Sequence, residues 1–250
     1  MNDTVVVRPN RSAHARQDLV CLPFCGGGAG AYMGWASAMP PGTDLAAVCY
    51  PGRDGRYMEE YAHDWDALAE DAIAALTSLT ERPYVLFGHS LGGLLAFDVT
   101  VRLRKRGAPA PRSLVLSAVG APRPGLSARD MFPGTPWVES SDEELVEWMQ
   151  TFGILPDYAL DDSELKDMAV EIMRADLRVR DSYECSEEVT IDLPVLLLTG
   201  EEDTVIPPDA GQQWKKVAVG EFQHDLLPGA HFYTPDVWSS LPSRMASLGS

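Results

Sequence analysis

The feature that most constrains this chain is a serine flanked by glycines where two periodicities meet. The run Tyr84-Val-Leu-Phe-Gly-His-Ser-Leu-Gly-Gly93 begins as an unbroken apolar stretch of strand character. It passes directly into Leu91–Arg106, whose apolar residues recur at helical spacing until Gly107 and Pro109 end the pattern. Within it, Gly88-His-Ser-Leu-Gly92 fits Gly-x-Ser-x-Gly. The pentapeptide alone occurs often by chance, but between a strand and a helix it is specific. The turn is sharp and strained, so the residues two before and two after the serine must be small. It also aims the free N–H groups of the helix N-terminus at any negative charge that develops beside Ser90.

Strand-like runs alternate with helical patterns along the rest of the chain, which predicts a mostly parallel central sheet with flanking helices. The expected strands are 19–24, 45–50, 84–88, 112–118, 194–199 and 222–227, with helices over 60–79, 91–106 and 235–248. The 250 residues suffice for one domain. The alternation is broken by 122–188, which opens with prolines and a glycine and shows no strand. It offers two helical patterns, 141–152 with Leu145, Trp148, Met149 and Phe152 on one side, and 163–183 with Leu165, Met168, Ala169, Ile172 and Met173. We read 122–188 as a helical lid inserted over an active site, with Met149, Phe152, Met168, Ile172 and Met173 lining or supporting a substrate pocket. Flexible methionines suit a pocket that admits varied chains.

A serine hydroxyl attacks only when a base takes its proton and a third group orients that base. Of the five histidines, His231 lies in Leu227-Pro-Gly-Ala-His-Phe-Tyr233, a loop following the last strand, where open α/β sheets place their chemistry. His89 adjoins Ser90 but should point away from it, as a structural residue. The acid should fall between serine and histidine in the chain. The loop Thr199-Gly-Glu-Glu-Asp203 offers Asp203, 28 residues before His231, with Glu201, Glu202 and Asp209 as competitors. The loop Val119-Gly-Ala-Pro-Arg123, the other place for an acid, contains no carboxylate. The oxyanion of acyl transfer needs preorganised N–H donors. Leu91 N–H is one, and the glycine-dense loop after the first core strand supplies the second, from Cys25 or else Phe24 or Gly26.

Charge and cysteine usage narrow the function classes. A net charge of −17 with no basic stripe argues against nucleic acid or an anionic membrane as partner. The run Arg102-Leu-Arg-Lys-Arg106 reads as a solvated helix end. No apolar run is long enough to span a bilayer, and the polar start does not read as a secretory leader, so a cytoplasmic location is expected. The four cysteines include no close pair and read as reduced; neither a metal nor a cofactor is expected.

Together these motifs resemble the type II thioesterases that accompany polyketide and nonribosomal peptide synthases, members of the α/β-hydrolase superfamily. Leu22-Pro-Phe-Cys-Gly-Gly-Gly28 resembles that family's first-strand motif, with Phe24-Cys25 where His-Ala is usual. Tyr50-Pro-Gly-Arg53, Gly88-His-Ser-Leu-Gly-Gly93, Arg174-Ala-Asp-Leu-Arg178 with Tyr183, Gly200-Glu-Glu-Asp203 and Gly229-Ala-His-Phe-Tyr233 are similar to its other segments. The resemblance implies the α/β-hydrolase fold and a Ser90–His231–Asp203 triad. The implied substrate is an acyl group on the phosphopantetheine arm of an acyl or peptidyl carrier protein, removed by a monomeric enzyme that edits stalled chains. A general carboxylesterase, a product-releasing thioesterase and an inactive hydrolase-fold binder are the alternatives.

Overall fold

The structure is a computed structural model; the residues it describes are 5–79 and 82–245. Among the described residues seven strands form one sheet: β1 (Val6–Val7), β2 (Gln17–Leu22), β3 (Thr43–Val48), β4 (Tyr84–His89), β5 (Ser113–Ser117), β6 (Val195–Gly200) and β7 (Phe222–Leu227). Their order across the sheet is β1-β3-β2-β4-β5-β6-β7, and only β1, paired with β3, runs antiparallel. Every residue of β2, β4, β5 and β6 is buried, which is why their centres appear in the sequence as apolar runs, although Gln17 and Asp18 of β2 are buried as well. β7 closes one edge with exposed Gln223, His224 and a half-buried Asp225, polar groups that discourage pairing with another chain.

Eight α-helices are present among the described residues: α1 (Trp65–Thr77), α2 (Leu91–Lys105), α3 (Ala128–Met131), α4 (Asp142–Thr151), α5 (Asp157–Leu160), α6 (Ser163–Asp181), α7 (Ala210–Val217) and α8 (Pro235–Met245). Strand residues alternate between two cores. Val20 and Leu22 pack with α1 to α7; Leu19 and Cys21 pack with α8 and a 3-10 segment, Ala29–Ala38. Local signals set the boundaries. Asp64 caps α1 by accepting from Ala67 N–H, so this helix begins after the predicted residue 60. A reciprocal Ser141–Glu144 capping box starts α4. The last predicted helix reaches Met245, and 246–248 lie outside the described residues. β1, the 3-10 segment and α7 are additions to the expected elements.

The run Arg102–Arg106 ends α2 with Arg104, Lys105 and Arg106 exposed, the solvated helix end expected from the sequence, and it also carries surface ion pairs. Arg102 pairs with Asp66, Glu70 and Asp98, Arg106 with Glu70, and Lys105 with Glu187, so the run stitches α2 to α1 and to the chain after α6. Such exposed pairs are screened by water and contribute little to stability.

Strand order positions the site. β2 neighbours both β3 and β4, so the chain leaves it in opposite directions and a crevice opens at the carboxyl ends of β2 and β4. The register brings Leu22 beside Gly88 and His89 beside Ser117, which sets the loops after β2, β4 and β5 at one edge. Between β5 and β6, adjacent in the sheet, the chain passes through α3, α4, α5 and α6.

Candidate active site

Ser90 caps the N-terminus of α2 with φ 54 and ψ −120, a conformation that costs a non-glycine residue about 1–3 kcal/mol. Its N–H donates to Ser117 O at 2.8 Å, and its carbonyl accepts from Gly93 N–H at 2.9 Å. The flanking glycines are required by contact. A Cβ on Gly88 would sit 1.9 Å from Gly92 O, and one on Gly92 would sit 2.2 Å from Leu22 O. Close approach of α2 to the ends of β2 and β4 is what aims the serine, and no other side chain fits there.

His231 and Asp203 come together as the sequence predicts. His231 Nδ1 lies 3.0 Å from Asp203 Oδ2, with both side chains essentially inaccessible. A carboxylate only accepts, so Nδ1 carries the proton in this contact. The other Asp203 oxygen accepts from Val205 N–H at 2.8 Å, which fixes the carboxylate plane. The two loops cross closely, since a Cβ on Gly200 would meet Ala230 O at 2.3 Å. Glu201 and Glu202, competitors for the acid role, are exposed. His231 Nε2 is buried and makes no hydrogen bond, so the contact to Ser90 Oγ is not closed in this structure. Catalytic hydrogen bonds commonly tighten only with substrate present.

His89 is structural, as expected. It is fully buried, its Nδ1 lies 2.9 Å from Ser117 Oγ, and Ser117 Oγ lies 2.6 Å from Tyr233 OH. Its ring packs 5.1 Å from His231 and 4.6 Å from Phe232. Burial, and then the neighbouring His231, hold its pKa well below the ordinary histidine value, so it stays neutral.

Of the proposed oxyanion donors, Leu91 begins α2 and Cys25 lies in the turn after β2, closed by Gly27 N–H to Phe24 O at 2.9 Å. Gly26 occupies φ 74, a left-handed position that glycine takes readily. Its N–H is already committed to Asp176 Oδ2 at 2.8 Å, which removes one of the alternatives to Cys25. Burial pushes the Cys25 thiol up to about 12, so the side chain is an inert apolar group.

The residues expected to line a pocket divide. A Cβ on Gly26 would meet Met173 Sδ at 3.2 Å and Met149 Sδ at 3.9 Å, so both thioethers lie over the Cys25–Gly26 turn, joined by Ile154. The Phe152 ring is 6.0 Å from His231 and 4.7 Å from Trp148. Ile172 is half-buried, whereas Met168 is 47% exposed. Sequence reasoning left out Arg53 and Asp176. Their motifs were visible, but their pairing spans 123 residues and no local pattern announces it.

Residues 17–240 match the family model for the thioesterase domain. The chain is 32% identical over 220 residues to the AMB antimetabolite synthetase AmbE of Pseudomonas aeruginosa, covering 88% of this chain and 10% of that protein. It is 31% identical over 216 residues to a probable cadicidin biosynthesis thioesterase of Streptomyces griseus, covering 86% of this chain and 57% of that protein. The chain therefore spans only part of the length of these relatives. Among solved structures it is similar to the type II thioesterase BorB from the borrelidin biosynthetic cluster, with 30% identity, a TM-score of 0.82, and coverage of 99% of this chain and 98% of that one. It is also similar to RedJ, a thioesterase from the prodiginine pathway in Streptomyces coelicolor, with 32% identity, a TM-score of 0.79, and coverage of 95% and 91%. With these likenesses added to the elbow at Ser90 and the buried His231–Asp203 pair, the chain belongs to the thioesterase family and has the α/β-hydrolase fold.

Proposed function

We propose that this protein hydrolyses acyl groups held in thioester linkage to the phosphopantetheine arm of carrier proteins, clearing stalled chains from a polyketide or nonribosomal peptide synthase. The observation that carries this is the buried His231–Asp203 pair beside a strained serine elbow, on a chain of the thioesterase family. Ser90 Oγ attacks the thioester carbonyl while His231 Nε2 takes its proton. Leu91 N–H and Cys25 N–H receive the oxyanion. The tetrahedral species collapses, the C–S bond breaks, and His231 returns the proton to the departing thiolate. Water, deprotonated by His231, then attacks the acyl-serine and releases a carboxylic acid and free Ser90. The helices of 122–188 serve as a lid, and Met149, Met173 and Phe152 border the acyl channel. The likeness to BorB supports editing in trans.

A second reading, release of a finished product, is favoured by the match to one tenth of the AmbE synthetase. The test is steady-state kinetics with one acyl group offered on a carrier protein, on N-acetylcysteamine and as an oxygen ester. Remote binding energy should give the carrier-bound donor the highest kcat/KM. Equal efficiency on the two thioesters, or preference for the oxygen ester, returns the enzyme to the general esterases. Preference for full-length over short acyl chains selects product release.

A further inference from the structure

Helix α6 reaches into the glycine loop through an ion pair for which hydrolysis at Ser90 has no direct use. Asp176 Oδ2 accepts from Gly26 N–H at 2.8 Å and from Arg53 Nη1 at 2.7 Å. The same Nη1 donates to Gly27 O at 2.9 Å, and Arg53 Nη2 donates to Asp176 Oδ1. The two side chains are 5% and 4% exposed. Burial disfavours the Arg53 cation, but the charge and hydrogen bonds of Asp176, with Tyr50 and Cys25 nearby, raise the guanidinium pKa on balance. Two further grips complete the set. Tyr50 OH donates to Pro23 O at 3.0 Å, and Asp54 Oδ2 accepts from Ala29 N–H at 2.8 Å.

The polar side chains of the Tyr50–Asp54 segment, with Asp176, thus hold the loop at Pro23, Gly26, Gly27 and Ala29, and Cys25 lies between the anchored points. Beyond Phe24, which packs edge-on against Tyr32, His89, Phe232 and Trp238, a loop this rich in glycine has few side chains to order it, and freedom left to its residues would have to be lost at the moment of reaction. Donors stabilise an oxyanion only when they are already aimed. We propose that Asp176 and Arg53 are positioning residues of the oxyanion hole. Asp176 fixes the Gly26 amide, Arg53 fixes the Gly27 carbonyl, and together they set the direction of the Cys25 N–H. Helix α6 is therefore part of the catalytic assembly, and substrate enters without lifting its Asp176 end. This rests on Ser90 being the nucleophile.

Removing one member of a buried pair strands the other's charge and destabilises the fold, which would blur positioning with folding, whereas replacing both by apolar residues is often neutral. The double variant Arg53→Leu/Asp176→Leu is therefore the main test, with its fold checked by thermal melting. Its affinity is measured for a trifluoromethyl ketone, which forms an oxyanionic hemiketal with Ser90, and for the matching thioether that lacks the carbonyl. The ketone should bind about 10–100-fold more weakly than to the wild type, part or all of what loss of one oxyanion donor costs. The thioether should change less than about threefold, since uniform binding is untouched. Retained ketone affinity, or equal loss for both ligands, overturns the proposal. If the double variant does not fold, Asp176→Asn decides by the same comparison, with a ketone-selective loss of about tenfold expected and a non-selective one refuting it. A wild-type protein that forms no adduct at Ser90 removes the nucleophile assignment itself, an outcome separate from an unselective variant.

Discussion

Replacing Gly88 with alanine probes whether close packing at the elbow, rather than the serine alone, makes the site. The added methyl would lie 1.9 Å from Gly92 O, 2.3 Å from Gly92 C and 2.6 Å from Gly93 N, all backbone atoms that no side-chain rotation can relieve. Ordinary contact begins near 3.4 Å, so the first turn of α2 must retreat by about 1.5 Å. Ser90 is the hinge between β4 and that turn and is carried with it. Misplacing a reacting group by about 1 Å costs on the order of 100-fold in rate. Overpacking adds about 1–3 kcal/mol of destabilisation, which in a domain of this size lowers Tm by roughly 2–12 °C. Gly30→Ala is the matched control, because its Cβ would meet nothing within 4 Å. Thioester hydrolysis and thermal melting of the purified variants are the assay. The expected result is a kcat about 100-fold lower for Gly88→Ala with KM little changed, and Gly30→Ala within about twofold of the wild type. A Gly88→Ala enzyme with near-normal kcat and an unshifted Tm would refute the reasoning.

Asp203→Asn should lower kcat by about 10⁴-fold, because the amide can hold the wrong histidine tautomer. Glu201→Gln and Glu202→Gln, at exposed positions, should stay within about twofold, and the reverse pattern in the kinetics would relocate the acid. The buried neutral His89 makes a pH prediction. Its folded pKa lies below the ordinary 6.5, so unfolding takes up a proton at low pH. Its stabilising contribution is complete above about pH 6.5 and is lost below it at up to about 1.4 kcal/mol per pH unit. Denaturant midpoints between pH 7.5 and 5 should therefore fall more steeply for the wild type than for His89→Asn, and parallel slopes would remove His89 from the account.

What the sequence discloses and what it hides divide along a physical line. The strands β2 to β7, the elbow at Ser90 and the loops of Asp203 and His231 are legible because each is written in a local pattern: apolar runs, glycine spacing, a carboxylate and a histidine past strand ends. β1 is two residues long and the 3-10 segment Ala29–Ala38 has no helical periodicity to detect. Periodicity also gives the stripe of a helix without saying where along it the stripe stops facing the protein. Met168 belongs to the same stripe as Ile172 and Met173, yet it lies where α6 faces outward, and Leu165 beyond it is exposed as well. The buried Arg53–Asp176 pair joins two motifs each visible alone, but their meeting is a property of tertiary structure.

The excursion of the chain between β5 and β6 also separates the site in folding order. Strands β2 to β5 come from one continuous stretch with short-range crossovers, whereas β6 can pair with β5 only after four helices between Ser117 and Val195 have been traversed. Closing that long connection costs entropy before any of its contacts exist, so nucleation favours the half that carries Ser90. Asp203 and His231 then join with β6 and β7. A molecule halted between these stages holds its serine in the turn with no base beside it, and such a hydroxyl is as unreactive as any alcohol in water. Under the proposed triad, chemical competence therefore arrives only with the final strands.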